Sequence, residues 1–378
     1  MSENSSLEID CDFPGGNIIV DSISDNVIGL HQDLRDTDGD WFYWCFRLTG
    51  SAGKTLKFAF TQSRAIGGSG PAISYDEGVT WAWLGKDVVD ENSFSYKFPE
   101  NNSEVRLSFG MPYLESHWHA FINKIGEHSL LDNKILCTTT KGREAEYVLL
   151  GDKKIDPKFR VAVTSRHHCC EMMATYSLEG ILNWVLNDSD AQWLRENVHF
   201  IFIPFVDKDG VEEGDQGKNR KPRDHGRDYA GESIYSTTKA IRELIPSWSE
   251  NNLTIGLDLH CPHISGGSNE YIYLVGSADE DNAAQQMQFM EMLEANAKGP
   301  LPIHASDFLP FGVAWNVASS YTAGKAFSHW TTEMSSIKLG ASIEVPYANA
   351  KGVEVNQTSA RSFGQDLGRA LDQYLQSL

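Results

Sequence analysis

His168, Glu171 and His260 carry side chains that zinc accepts, and their spacing, two of them three residues apart and the third after a long gap, is that of a metal site. Imidazole nitrogen and carboxylate oxygen both suit a borderline-soft Zn2+. Three protein ligands leave a fourth position open, the arrangement of a catalytic rather than a closed structural site. An open position can hold a water whose pKa the metal lowers to about 7. The pattern therefore implies one zinc ion and hydrolysis. An HxxE pair alone recurs by chance, and histidines beside a helix start also serve as caps or packing. His167 and Glu171 are moreover spaced as a helical i, i+4 pair, so the register has two solutions.

The elements around these residues carry the weight. Phe159, Val161, Ala162 and Val163 form an apolar run that reads as a buried strand, and apolar residues recur at helical spacing from Met172 to Leu186. The first ligand pair thus sits between a strand end and a helix start. Leu253, Ile255, Leu257 and Leu259 predict a second strand that ends at His260, with Asp258 two residues before it. Both ligand sets fall at carboxyl ends of strands, where open α/β sheets place their sites.

The segment Ser165-Arg166-His167-His168-Cys169-Cys170-Glu171 resembles the A-R-x-H-P-G-E motif of the zinc metallocarboxypeptidase family, most closely its cytosolic carboxypeptidase-like branch, with cysteines in place of Pro-Gly. The resemblance selects His168 over His167 and implies Glu171 and His260 as the other ligands. Pro204-Phe205-Val206-Asp207-Lys208-Asp209-Gly210-Val211 is similar to the family's P-x-x-N-P-D-G-V segment. Gly217-Lys218-Asn219-Arg220 and Asp224-His225-Gly226-Arg227 are similar to its arginine-bearing loop and D-x-N-R motif. The resemblance implies that Arg220 polarises the scissile carbonyl, that Arg227 grips a terminal carboxylate, and that Asp224 accepts the remaining N–H of His168. Gly226 stands where the family has an asparagine, which removes one expected hydrogen bond to that carboxylate.

Ala341-Ser342-Ile343-Glu344-Val345-Pro346 predicts a final strand whose glutamate is flanked by apolar residues, a costly place for an unpaired carboxylate. Glu344 matches the family's catalytic glutamate, which takes a proton as water attacks and delivers it to the leaving amine. Tyr321, in a segment running to Trp330, resembles the mobile tyrosine of these enzymes and is expected to close over substrate. The resemblance places Lys325 and Ser328 in the specificity pocket, where a lysine would suit an acidic or polar side chain. A glutamate-rich tail is one substrate this branch suggests.

Composition agrees with a soluble enzyme. The 378 residues are 41% hydrophobic, with a formal charge of -20 from 52 acidic and 32 basic residues, which argues against nucleic acid and anionic membrane surfaces. Against that background Lys218, Arg220, Lys221, Arg223 and Arg227 form a concentrated basic cluster that would focus an anionic group. No run reaches the roughly eighteen apolar residues of a membrane span. Met1 to Ile9 is polar without a hydrophobic core, and the six cysteines lack a scaffold-like spacing, so a cytoplasmic protein with reduced thiols is expected. No phosphate-binding glycine loop is present.

The expected fold is α/β, a mixed-sheet zinc carboxypeptidase catalytic domain over residues 113–378 preceded by a small all-β sandwich over residues 1–112. Short aromatic and β-branched runs (Trp41 to Leu48, Thr55 to Phe60, Val79 to Leu84, Phe94 to Phe98, Val105 to Phe109) predict the sandwich, with its tryptophans packed inward. Helical patterns at Glu171 to Asn187, Asn282 to Lys298 and Gln357 to Leu378 predict the helices that cover the later sheet. The function expected is hydrolysis of a C-terminal or side-chain amide in a peptide or small amide that bears a free carboxylate. A related zinc amidohydrolase acting on an N-acyl amino acid, and a non-catalytic zinc or peptide-binding protein, are the alternatives.

Overall fold

The computed structural model describes residues 6–102, 104–264 and 266–378. Its amino-terminal part contains two five-stranded β-sheets that pack face to face. The alternation within Cys45–Thr49 of one sheet and Thr55–Phe60 of the other directs Phe46, Leu48, Leu56, Phe58 and Phe60 inward, where each is at most 4% exposed. Trp44 is fully buried, with its ring centroid 4.9 Å from that of Phe60, and Phe46 lies 5.6 Å from Phe58 across the sheets. Trp41 departs from the inward-packed expectation. It is only partly buried and faces the cleft described below.

A helix, Glu115–Ile125, leads into a seven-stranded mixed sheet: β1 (Leu131–Thr138), β2 (Glu144–Leu150), β3 (Phe159–Ser165), β4 (Val198–Ile203), β5 (Ile255–His260), β6 (Tyr273–Val275) and β7 (Leu339–Glu344). Their spatial order is β1-β2-β4-β3-β5-β7-β6, with β4, β3, β5 and β7 parallel and the outer strands antiparallel. The parallel strands are buried on both faces, which is why they read as almost continuous apolar runs.

Four longer helices cover the sheet: α1 (Met172–Asn187), α2 (Ser236–Ser249), α3 (Glu280–Asn296) and α4 (Gln357–Gln376). Helices α1, α3 and α4 pack together on one face, and α2 lies on the other over Ala162, Ile201 and Ile203, which it meets with Ile241 and Ile245. Helix α3 begins two residues earlier than its apolar pattern indicates, because the Asp279 carboxylate accepts the N–H of Asn282 at 2.8 Å and caps it. The chain leaves β3 through α1 to reach β4 on one side, then returns through α2 to β5 on the other side of β3. The strand order reverses there, and the loops part to leave a crevice beyond the carboxyl ends of β3 and β5.

All six cysteines are free thiols. Among the described residues no helix is long and apolar enough to cross a membrane.

Candidate active site

The turn that follows β3 is built around Arg166. Its backbone is left-handed (φ 62°), and its buried guanidinium donates to the carbonyl oxygens of Cys169 (Nε, 2.7 Å) and Tyr113 (Nη1, 2.8 Å). These bonds offset the strain of the left-handed residue and fix the turn that presents His168 and Glu171. Glu171 occupies the cap position of α1.

His168 Nδ1 lies 3.0 Å from Glu171 Oε1, and His260 Nδ1, at the end of β5, lies 2.8 Å from Glu171 Oε2. One ligand atom from each residue falls within 4.8 Å of the others. The remote imidazole nitrogens face carboxylates: His168 Nε2 is 3.6 Å from Asp224 Oδ1 and His260 Nε2 is 2.7 Å from Asp258 Oδ2. An imidazole with one nitrogen on a shared centre and the other on a carboxylate is oriented as metal ligands are, so this donor set fits zinc.

His167 lies beneath the cleft with both nitrogens engaged, Nδ1 with Asp258 Oδ1 and Nε2 with the Tyr229 hydroxyl, each at 2.8 Å. His168 shares a centre with Glu171 and His260, and His167 forms a second group with Asp258 and His260 whose ligand atoms also lie within 4.8 Å of one another. Burial works against ionisation of Glu171, but Lys218, His168 and His260 outweigh it and hold its carboxyl well below the usual range. Asp258 is likewise held low against burial by His167 and His260, and Asp224 by His168. Burial opposes protonation of His260, yet Asp258 and Glu171 raise its pKa well above the ordinary value.

The loop between Gly214 and Arg227 runs directly against the ligand turn. Gly217 has φ 79°, and a Cβ there would lie 2.4 Å from the Cys169 nitrogen, so the position requires glycine. The next residue, Lys218, places its ammonium 2.6 Å from Glu171 Oε1 and 5.0 Å from the centre of the Trp41 ring.

Arg220 points elsewhere, which corrects the expected oxyanion role. Its Nε donates to Asp36 Oδ2 (3.0 Å), Nη1 to Asp207 Oδ2 (2.5 Å) and Nη2 to Asp215 Oδ2 (2.7 Å), and it does not line the cleft. Arg223 pairs with Asp228 and Lys221 with Asp38. Of the five clustered basic residues, Lys218 and Arg227 alone line the cleft.

Arg227 is held at the rim by bonds from Nη1 to Gly226 O (2.9 Å) and from Nε to Ser320 O (3.2 Å), with its guanidinium 4.9 Å from the centre of the Tyr321 ring. The Tyr321 hydroxyl donates to Asn316 Oδ1 at 2.8 Å. A Cβ on Gly226 would come within 2.9 Å of His168 Nε2 and 3.3 Å of Asp224 Oδ1, so the absent asparagine has a steric reason. A side chain there would push His168 off Asp224.

Glu344 ends β7 in register with His260. It is 7% exposed, and its Oε2 has no hydrogen-bond partner among the described residues. Burial raises its pKa, with His260 opposing and Glu171 reinforcing the shift. It shares a cavity of about 410 Å³ with His168, His260, Lys218, Arg227, Tyr321 and Ser328.

Lys325 is the second correction. Its ammonium pairs with Glu333, and the residue does not line the cavity. Ser328 does, with its hydroxyl 2.8 Å from that of Ser342. Lys218, Trp41, His263, Trp315 and Ser342 also line the cavity and were not singled out from sequence. Lys218 had a legible signal as one member of the basic cluster, and Trp41 as one of the tryptophans expected to pack inward.

No family model matches the chain. In sequence it is 24% identical over 330 residues to cytosolic carboxypeptidase 2 of Danio rerio, covering 75% of this chain and 44% of that protein. The chain therefore spans less than half the length of that relative. In structure it is similar to a metallo-carboxypeptidase from Burkholderia cenocepacia (TM-score 0.80, 22% identity, 98% of this chain and 100% of that one). It is also similar to a metallo-carboxypeptidase from Pseudomonas aeruginosa in complex with (2-guanidinoethylmercapto)succinic acid (TM-score 0.75, 19% identity, 98% and 99%). The chain has the metallocarboxypeptidase fold, with the amino-terminal β region included in the likeness. In sequence the chain is similar to a cytosolic carboxypeptidase, and in fold to metallo-carboxypeptidases.

Proposed function

We propose that the chain is a zinc-dependent metallocarboxypeptidase that hydrolyses the C-terminal amide of a peptide ending in a free carboxylate, or a side-chain amide presented in the same way. The observation that carries this reading is Glu344, a buried carboxylate with an unpartnered oxygen in one cavity with His168, His260 and Arg227. A buried acceptor left without a partner is costly unless a reacting group completes it.

His168, Glu171 and His260 would hold the metal, and Asp224 and Asp258 keep the two imidazoles turned toward it. A zinc ion bound there supplies Lewis acidity that brings the pKa of water to about 7. Glu344, with its proton affinity raised by burial, accepts the proton of the attacking water and returns it to the leaving amine. Lys218 takes the place expected of Arg220: its ammonium is the cation beside the ligand carboxylate and is placed to polarise the scissile carbonyl. Arg227, backed by the Tyr321 ring, offers its fork to the terminal carboxylate.

Glu344→Gln should retain fold and zinc while lowering kcat by several orders of magnitude, since an amide cannot accept the proton. Metal analysis and steady-state kinetics on the purified variant decide it. Turnover close to wild type would remove Glu344 from the chemistry and the reading with it.

A further inference from the structure

The sheet register fixes what lies below the reacting level of the cleft. His260, Glu344 and Tyr273 are Cα partners across β5, β7 and β6, and two residues earlier on β5 and β7 the row is Asp258, Ser342 and Val275. Residues two apart on a strand project from the same face about 7 Å from each other. Asp258 is consumed beneath the cleft, Oδ1 accepting from Thr164 and meeting His167, Oδ2 meeting His260, and it does not line the cavity. The floor is therefore Ser342 and Val275, and Ser328 closes it with its hydroxyl 2.8 Å from that of Ser342.

That floor carries no charge of either sign. Lys325, the cation expected there, pairs with Glu333 outside the cavity. Lys218 and Arg227 stand higher, one on Glu171 and the other beneath Tyr321. The lining carboxylates, Asp224 and Glu344, belong to the reacting level. His329 also lines the cavity, and burial, with Arg227 and Lys325 adding to it, brings its pKa to about 4, so it is neutral at neutral pH. Either charged side chain tip would lose its water here without gaining a partner. A paired serine hydroxyl still offers one further donor or acceptor, which a hydroxyl or carboxamide can use.

Resting on the carboxypeptidase reading, we propose that this cleft accepts a C-terminal residue with a neutral, polar tip, such as glutamine, asparagine, serine or threonine. Terminal glutamate, lysine and arginine are rejected. Ser328 and Ser342 are the residues that set this choice.

The test uses one zinc-loaded wild-type preparation and a set of peptides that differ only in the last residue (Gln, Asn, Ser, Leu, Glu, Lys), with release of the free amino acid as readout. Glutamine should exceed glutamate and lysine by roughly 100-fold or more in kcat/KM, because the charged tips are buried unpaired. Ser342→Ala should narrow the preference for glutamine over leucine, and Ser328→Lys should raise glutamate relative to glutamine by supplying the missing cation. Release of glutamate or lysine as fast as glutamine by the wild type overturns the proposed selectivity and leaves the carboxypeptidase reading standing. Release of no residue from any peptide overturns that reading, and the selectivity falls with it.

Discussion

Lys218 is the residue on which the chemistry of this site differs most from what its basic loop suggests. Its neighbour two positions on, Arg220, carries the planar fork best suited to an oxyanion, yet Asp36, Asp207 and Asp215 occupy all of its faces. Lys218 reaches the cleft as a point charge, partly buried against Glu171 and the Trp41 ring. Removing a preorganised donor from a developing oxyanion costs about 100- to 1,000-fold in kcat. Lys218→Met should show a loss of that size with KM little changed. Zinc should be held at least as firmly, because the ammonium no longer competes for Glu171. A variant that loses zinc while turnover per bound metal is preserved would make Lys218 a structural partner of Glu171 only.

The element that delivers Lys218 is a loop without regular structure, and it is shaped by the amino-terminal region. Asp36 Oδ1 accepts the N–H of Gln216 (3.0 Å), and Oδ2 accepts those of Gly217 (2.9 Å) and Arg220 Nε (3.0 Å). The Gln216 side chain returns the contact, accepting from Tyr43 N (2.7 Å) and donating to Tyr43 O (2.9 Å). Deleting the carboxylate leaves two backbone donors and one guanidinium donor short of a partner, at a cost of about 1–3 kcal/mol for each buried group. Asp36→Ala should accelerate hydrogen exchange at Gln216 and Gly217 and lower kcat at least tenfold, with zinc content unchanged. Wild-type exchange and turnover together would show that the loop holds its shape without the amino-terminal region.

At this scale the limits of the sequence are also clear. The parallel strands Phe159–Ser165, Ile255–His260 and Leu339–Glu344 were legible because strands buried on both faces cannot hide their apolar runs, and His260 and Glu344 stand out at the ends of two of them. The antiparallel strands Leu131–Thr138, Glu144–Leu150 and Tyr273–Val275 were not read. The choice between Lys218 and Arg220 was not legible, because three carboxylates take Arg220 and one of them, Asp36, comes from 184 positions away. Lys325 failed as a pocket residue because Glu333, two residues past the end of the short helix Phe327–Thr331, takes its charge. Nothing in local spacing records which acid will reach which base. Gly226 read as a lost hydrogen bond, with no sign in the sequence of the His168 ring 2.9 Å from where its Cβ would be.

Across the whole molecule, one hydrophobic core runs from the amino-terminal sandwich to α4, and Trp41 carries the sandwich into the cleft itself. A chain of charge -20 thereby keeps two cations, Lys218 and Arg227, at the mouth and wall of a single cavity. The lining carboxylates Asp224 and Glu344 balance them in formal charge, so an approaching carboxylate finds a local partner in Arg227 and not a broad positive field. In the proposed reaction Arg227 receives a substrate's free terminal carboxylate while the chemistry proceeds beside it. The measurement that reaches it most directly compares one peptide ending in glutamine, as free acid and as C-terminal amide, against zinc-loaded wild type and Arg227→Ala, with products identified by mass. Wild type should release the single terminal residue from the free acid and barely touch the amide. Arg227→Ala should lose roughly 2 to 4 kcal/mol of kcat/KM on the acid alone. Equal cleavage of both peptides, or cuts within the chain, would contradict it.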